Sequence, residues 1–152
     1  MKDMDELVEV WGEYLKRVGD WHTLVEGVEP KETGCGPVYE LPNPIDRPSE
    51  SFAIADMSQL EISEPHKHIN GETEIYFVLQ GRGKIAVGED FMDLETGVNV
   101  VTPPDVVHIV RPLDNLILAV INTPSFNADN YVALSDTEAA IAKKIMELKA
   151  TV

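Results

Sequence analysis

The stretch from Pro65 to Gly83, PHKHINGETEIYFVLQGRG, constrains the fold of this chain more than any other. Side chains of a β-strand alternate between its two faces, so His66 and His68 leave the backbone on the same side. Glu72, Glu74, Tyr76 and Val78 share their parity, while Ile75, Phe77 and Leu79 point the other way. A strand face that carries two imidazoles and a carboxylate, then continues into Tyr and Val, reads as a metal site at the mouth of a packed interior. Parity alone admits either Glu72 or Glu74. A distant segment, GVNVVTPPDVVH from Gly97 to His108, supplies a third imidazole after a proline turn.

The rest of the middle of the chain alternates in the same short period. Strands are expected over Phe52–Ile62, Glu74–Leu79, Lys84–Val87, Phe91–Leu94, Val98–Thr102, Val106–Arg111 and Leu116–Asn122. Gln80-Gly81-Arg82-Gly83 is expected as a hairpin turn, and Leu113-Asp114-Asn115 as another break. Many short strands with regular turn signals predict a sandwich or barrel. In the first of them Phe52, Ile54, Leu60 and Ile62 share a face with Asp56 and Ser58, so that face either lines a pocket or is broken by a bulge.

The flanks read differently. Leu7, Val10, Trp11, Tyr14, Leu15 and Val18 recur at helical spacing, with Lys16 and Arg17 late and Gly19 as a stop. Such a helix packs on the outside of a barrel or on a second subunit. Residues 20–50 are rich in Gly and Pro and form an extended arm, with Pro37–Leu41 as a strand. Its His22 and Cys35 lack partners in sequence that would make them a ligand or a catalytic thiol. Tyr131–Leu134 is expected as an edge strand, and Ser135 with Glu138 forms a capping box that opens a closing helix. The predicted organisation is one structural domain: helix and arm over 1–50, barrel core over 51–124, edge strand and helix over 125–152.

Composition bounds the function. The 152 residues suffice for one domain, and the net charge of −15 argues against nucleic acid or an anionic membrane as partner. No run approaches the roughly 20 apolar residues of a membrane helix. The charged start MKDMDELVEV and a single cysteine predict a cytoplasmic protein. A small molecule is the expected partner. The Pro-rich arm, the amphipathic helix and an open strand edge predict a homodimer.

The two His-bearing segments resemble the two motifs of the cupin superfamily. The first motif is Gly, five residues, His-x-His, three or four residues, Glu, six residues, Gly; the second is Gly, five residues, Pro-x-Gly, two residues, His, three residues, Asn. Gly97, Pro103 and His108 fall at the second motif's spacings, and Glu74 stands at the first motif's distance from Gly81. Leu60 replaces the leading Gly, the spacer from His68 to Glu74 is five residues, Asp105 replaces a Gly and Pro112 the terminal Asn. Glu72 fits the short spacer, but only Glu74 keeps the distance to Gly81.

The resemblance covers roughly Phe52 to Pro124 and implies an all-β, cupin jelly-roll β-barrel with flanking N- and C-terminal helices. It implies His66, His68, Glu74 and His108 as ligands of one divalent transition metal, which three imidazoles and a carboxylate leave open among Fe, Mn, Ni, Zn, Co and Cu. Tyr76 faces inward beyond Glu74 as a candidate catalytic acid or hydrogen-bond donor. Asn122 follows as a polar group facing the cavity, then Asp56, Gln59 and Arg111. The implied activity is that of a metal-dependent enzyme on a small oxygenated molecule, a dioxygenase first, a sugar or sugar-phosphate isomerase or epimerase second. A non-catalytic metal- or ligand-binding module is the third reading. Scarce Lys and Arg in the central strands weigh against a phosphosugar. Substrate is expected to reach the metal past the loop at 69–73.

Overall fold

The computed structural model describes residues 2–150; Met1, Thr151 and Val152 lie outside them. Helix α1 spans Lys2–Val18. The strands are β1 (Lys31–Thr33), β2 (Gly36–Leu41), β3 (Ser51–Asp56), β4 (His66–His68), β5 (Thr73–Val87), β6 (Asp90–Glu95), β7 (Asn99–Thr102), β8 (His108–Thr123) and β9 (Tyr131–Ala133). Helix α2, Asp136–Ala150, closes the chain. Ser135 caps it, its hydroxyl accepting from the Glu138 amide at 3.2 Å and donating to the Glu138 carboxylate at 2.9 Å.

The sheet is a curled antiparallel half-barrel. Its path runs β1-β2-β3-β8-β4-β9, while β5 pairs with β6, β7 and β8. The long antiparallel ladder between β5 and β8 is the spine. Here the structure departs from the sequence reading. The expected hairpin turn at 80–83 is an irregularity inside one continuous strand, and 113–115 likewise lies within β8. The register shifts between Val78 and Gly83 let β5 bend from its pairing with β7 to its pairing with β6. Gly81 makes that bend possible. Its φ is +85°, and a Cβ there would run into the carbonyl oxygens of Asp114 and Asn115.

Two cores sit on the two faces of this sheet. The inner one gathers Ala55, Met57, Tyr76, Val78, Leu118 and Val120 with their neighbours. The outer one packs Leu7, Trp11 and Leu15 of α1 onto Phe52, Ile54, Ile75, Phe77 and the odd-numbered residues Ile117–Ile121. Trp11 is fully buried and its indole N–H donates to Glu50 at 2.7 Å. Full burial of such side chains contributes about 1.5–3 kcal/mol each, which fixes α1 against the sheet. The helix therefore covers its own barrel, one of the two packings expected of it.

The first strand is shorter than expected, and of the two readings of its mixed face the break in alternation is the one observed. Phe52 and Ile54 point outward under α1, whereas Ala53, Ala55 and Met57 face the interior. Alternation alone cannot say which face is inside when both are covered by apolar packing. Regular pairing ends at Asp56, whose carboxylate turns back to accept from the Ser58 amide at 3.0 Å and hydroxyl at 2.6 Å.

Candidate metal centre

Strand register builds the site. His66 on β4 lies directly opposite His108 on β8, and His68 lies opposite Tyr131 on β9. Glu74, two residues into β5, lies opposite both Thr102 on β7 and Asn122 on β8. Residues far apart in the chain thus project into one inner end of the half-barrel. His66, His68, Glu74 and His108 are all buried, and one donor atom from each lies within 4.8 Å of every other.

The geometry is directional. Glu74 Oε1 stands 2.9 Å from His108 Nε2, 3.3 Å from His68 Nε2 and 3.7 Å from His66 Nε2. Each ring's other nitrogen faces an acceptor: His66 Nδ1 the Glu64 carbonyl at 2.9 Å, His108 Nδ1 the Val106 carbonyl at 3.4 Å, His68 Nδ1 the Glu72 carboxylate at 3.0 Å. A carbonyl can only accept, so His66 and His108 carry their protons on Nδ1 and aim Nε2 lone pairs at the centre. Both nitrogens of His68 are buried without an aligned hydrogen-bond partner.

Burial tends to raise the Glu74 carboxyl, but the His108, His66 and His68 rings gathered around it outweigh burial and hold the group well below the usual carboxylate range. Burial lowers His108. It would lower His68 too, but Glu74 and Glu72 reverse the sign and raise that imidazole.

These residues fit a transition-metal ion. Donors bound to one ion at roughly 2.0–2.2 Å stand about 3–3.5 Å apart, and the 2.9, 3.3 and 3.7 Å distances around Glu74 Oε1 bracket that range. Three imidazole nitrogens and one carboxylate oxygen suit a borderline metal, and the buried, unpartnered nitrogens of His68 suit a Lewis acid as their partner.

Glu72 has a different part from Glu74. It is completely buried, and its Oε2 accepts from Asn122 Nδ2 at 2.8 Å besides facing His68. Its Oε1 accepts from the Asn127 amide at 3.1 Å and Asn130 Nδ2 at 3.0 Å. A carboxylate so engaged orients His68 from behind rather than joining the donor set. Asn127 and Asn130 were not visible as site residues in the sequence, since nothing local links them to β4.

A cavity of about 520 Å³ opens onto the cluster. His66, His68 and Glu74 form its inner end, and Tyr76 and Asn122 line it as expected. The Tyr76 hydroxyl donates to Glu74 Oε1 at 2.6 Å, and burial followed by the Glu74 charge raises the phenol well above its usual range, so it stays a donor. Asp56, Gln59 and Arg111 do not line the cavity; Arg111 instead reaches the Glu61 carbonyl at 3.0 Å. Nor does the 69–73 loop, where Asn70 and Gly71 make a left-handed turn and Asn70 Nδ2 donates to Asn130 Oδ1 at 2.8 Å. The exposed residues of the cavity's lining are Phe126 and, on the β1–β2 arm, Lys31, Thr33, Gly34 and Glu40. Residues missed from sequence are Glu64 and Tyr131, which share a hydrogen bond at the cavity wall, and Tyr131 stacks on His66 with centroids 4.5 Å apart. Cys35 also lines the wall, its thiol pushed up to about 12 by burial and by Glu74 and Glu64.

Residues 55–121 match the family model described as Cupin domain. A gentisate 1,2-dioxygenase from Haloferax sp. is 31% identical over 77 residues, which are 50% of this chain but 22% of that protein. The chain's match therefore spans less than a quarter of that relative's length. Among solved structures, a Streptomyces PAC13 variant with uridine aligns with a TM-score of 0.62 at 14% identity, covering 76% of this chain and 93% of that one. A cupin-2 domain protein from Rhodospirillum rubrum aligns at 0.57 with 14% identity and 71% coverage of each chain. KdgF from Halomonas sp. aligns at 0.53 with 17% identity, covering 61% and 81%. At these identities the structural likeness establishes the fold. Among the described residues no helix is long and apolar enough to cross a membrane.

Proposed function

The chain is a cupin by domain and by fold, and on that premise we propose that it is a metal-dependent enzyme acting on a small oxygenated molecule, of the dioxygenase type. The observation that carries this reading is the convergence of three Nε2 atoms and one carboxylate oxygen beside a 520 Å³ cavity that His66, His68 and Glu74 line. The partial likeness to a gentisate dioxygenase supports the choice of oxygen chemistry. His66, His68, Glu74 and His108 would hold one divalent ion, which when bound supplies Lewis acidity and sites for oxygen ligands.

The chain's own groups do the rest. Backbone carbonyls fix the tautomers of His66 and His108, and the Glu72 carboxylate faces His68 Nδ1 from behind, so the rings are arranged before any ligand arrives. Tyr76 steadies Glu74 through its hydroxyl and, as a neutral phenol, keeps a proton beside the reacting end of the cavity. Apolar walls from Ala53, Ala55, Met57, Leu118 and Val120 exclude water and strengthen each polar contact. Lys31 is the one Lys or Arg among the described lining residues, and it pairs with Glu40. That leaves a phosphosugar without a phosphate clamp.

The test is metal analysis of protein purified without added metal, with O₂ uptake measured on the same sample over hydroxylated aromatic and sugar-like compounds. One equivalent of a redox metal with substrate-dependent O₂ uptake is expected. Zinc with no turnover would refute the dioxygenase and favour a binding module. Unchanged metal stoichiometry in His108→Ala would refute the ligand set.

A further inference from the structure

We propose that the cavity selects an uncharged, hydroxyl-bearing molecule rather than an acid, and that Glu64, held by Tyr131, recognises its hydroxyl hydrogen. The inference deepens the reading above and rests on the cavity being that site's ligand pocket.

The cavity's hydrogen-bond inventory is lopsided. Its donors are already directed elsewhere: the Tyr76 hydroxyl at Glu74, Tyr131 at Glu64, Thr33 at the Gly36 carbonyl, Asn122 Nδ2 at Glu72, Lys31 at Glu40. The Ser51 hydroxyl oxygen accepts from the Phe126 amide at 2.8 Å, which leaves its hydrogen as the exception. Acceptors, by contrast, remain. Tyr131 engages Glu64 Oε1, and Oε2 of the same carboxylate carries no hydrogen bond from a described residue. A ligand meeting this wall gains by donating hydrogen bonds and finds few donors for its own oxygens.

Charge acts in the same direction. Glu64 and Glu74 line the cavity and Glu72 stands behind His68, so three carboxylates outnumber the two charges of a divalent ion. The lone lining cation, Lys31, is exposed and already paired. An added carboxylate would meet Glu64 across a cavity with apolar walls. At about 4 Å and an effective dielectric near 20, like charges repel strongly enough to cost well over tenfold in affinity. A neutral hydroxyl avoids that cost and satisfies Glu64 Oε2. The opposite wall of Val38, Ala53, Ala55, Met57, Leu118 and Val120 offers flat apolar contact to a ring or carbon skeleton. Tyr131 stacks on His66, so the Glu64 carboxylate that it binds is tied to the cluster through that ring.

The experiment uses two matched pairs, gentisate against its neutral amide and glucuronate against glucose, titrated calorimetrically into metal-loaded protein. At least one neutral member should bind, and each that binds should exceed its acid by about tenfold or more. Glu64→Gln should shrink that gap severalfold by removing the charge. Tyr131→Phe, which keeps the charge, should preserve it and serves where Glu64→Gln fails to fold. The proposal is overturned if either acid matches its neutral partner or if neither neutral compound binds. Metal content is measured on the same samples. A protein that prefers the neutral ligand but takes up no metal refutes the metal reading and leaves this one standing.

Discussion

Replacing Glu72 with Gln separates the residue that holds a metal from the residue that holds a ligand in place. Glu72 offers two oxygens to four groups: His68 Nδ1 and Asn122 Nδ2 on one, the Asn127 amide and Asn130 Nδ2 on the other. Glutamine keeps one oxygen and turns an NH₂ toward two donors, so two contacts are lost whichever way the amide faces. Hydrogen bonds to a charged group contribute about 1.5–3 kcal/mol each, and the site is fully buried, so a loss of about 3 kcal/mol or more is expected. For a domain of this size that lowers the midpoint of thermal unfolding by about 6–12 °C. His68 also loses the carboxylate that orients it, which weakens metal binding by about 10–100-fold. Thermal denaturation of metal-free protein and competition against a chelator measure the two effects separately. Glu74→Gln removes a donor outright and should lose more affinity than Glu72→Gln. If Glu72→Gln proves as stable as the parent and costs as much metal affinity as Glu74→Gln, Glu72 is itself a ligand and the orienting role assigned to it is wrong.

Three further outcomes are expected. Trp11→Ala, which empties the seam between α1 and the sheet, should cost about 3–5 kcal/mol in urea denaturation while metal content stays at the parent level; equal loss of metal would show that the outer core supports the site. Gly81→Ala places a Cβ at positive φ against two carbonyls and should destabilise by about 1–3 kcal/mol, read as a shifted denaturation midpoint. Burial and two nearby carboxylates disfavour the Cys35 thiolate, so its alkylation at pH 8 should run about a thousandfold or more below a free cysteine's and rise steadily as pH approaches 12; rapid modification at pH 8 would contradict the wall's negative character.

The donor set was legible because strand periodicity and motif spacing are local properties of the chain. His-x-His places two imidazoles on one face by geometry, and the Glu74 to Gly81 distance sets the register of β5 against its bend. Glu64, Tyr131, Asn127 and Asn130 were not legible, because each reaches the site through the pairing of β9 with β4 or through the loop before it. No period or spacing in a single sequence states which strands are neighbours. The mixed face of the first strand has a related cause: with α1 on one side of β3 and the cavity on the other, both faces are apolar, and alternation loses its sign. Two long bent strands were read as four short ones, since Gly81 and Asp114-Asn115 carry turn chemistry that the fold spends on bends.

The short strand β4 has a consequence for how the molecule comes into being. It pairs with β8 at a single residue but with β9 along its whole length, from His66 opposite Ala133 to His68 opposite Tyr131. A chain emerging from the ribosome has long since released His66 and His68 when residues 131–133 appear, yet only those residues complete the edge that holds both imidazoles. The spine of β5 and β8 and the docking of α1 require nothing beyond Thr123. The order of synthesis therefore makes the framework available before the strand that holds β4 along its length, and a chain ending at Thr123 is expected to hold metal more weakly than one that includes β9.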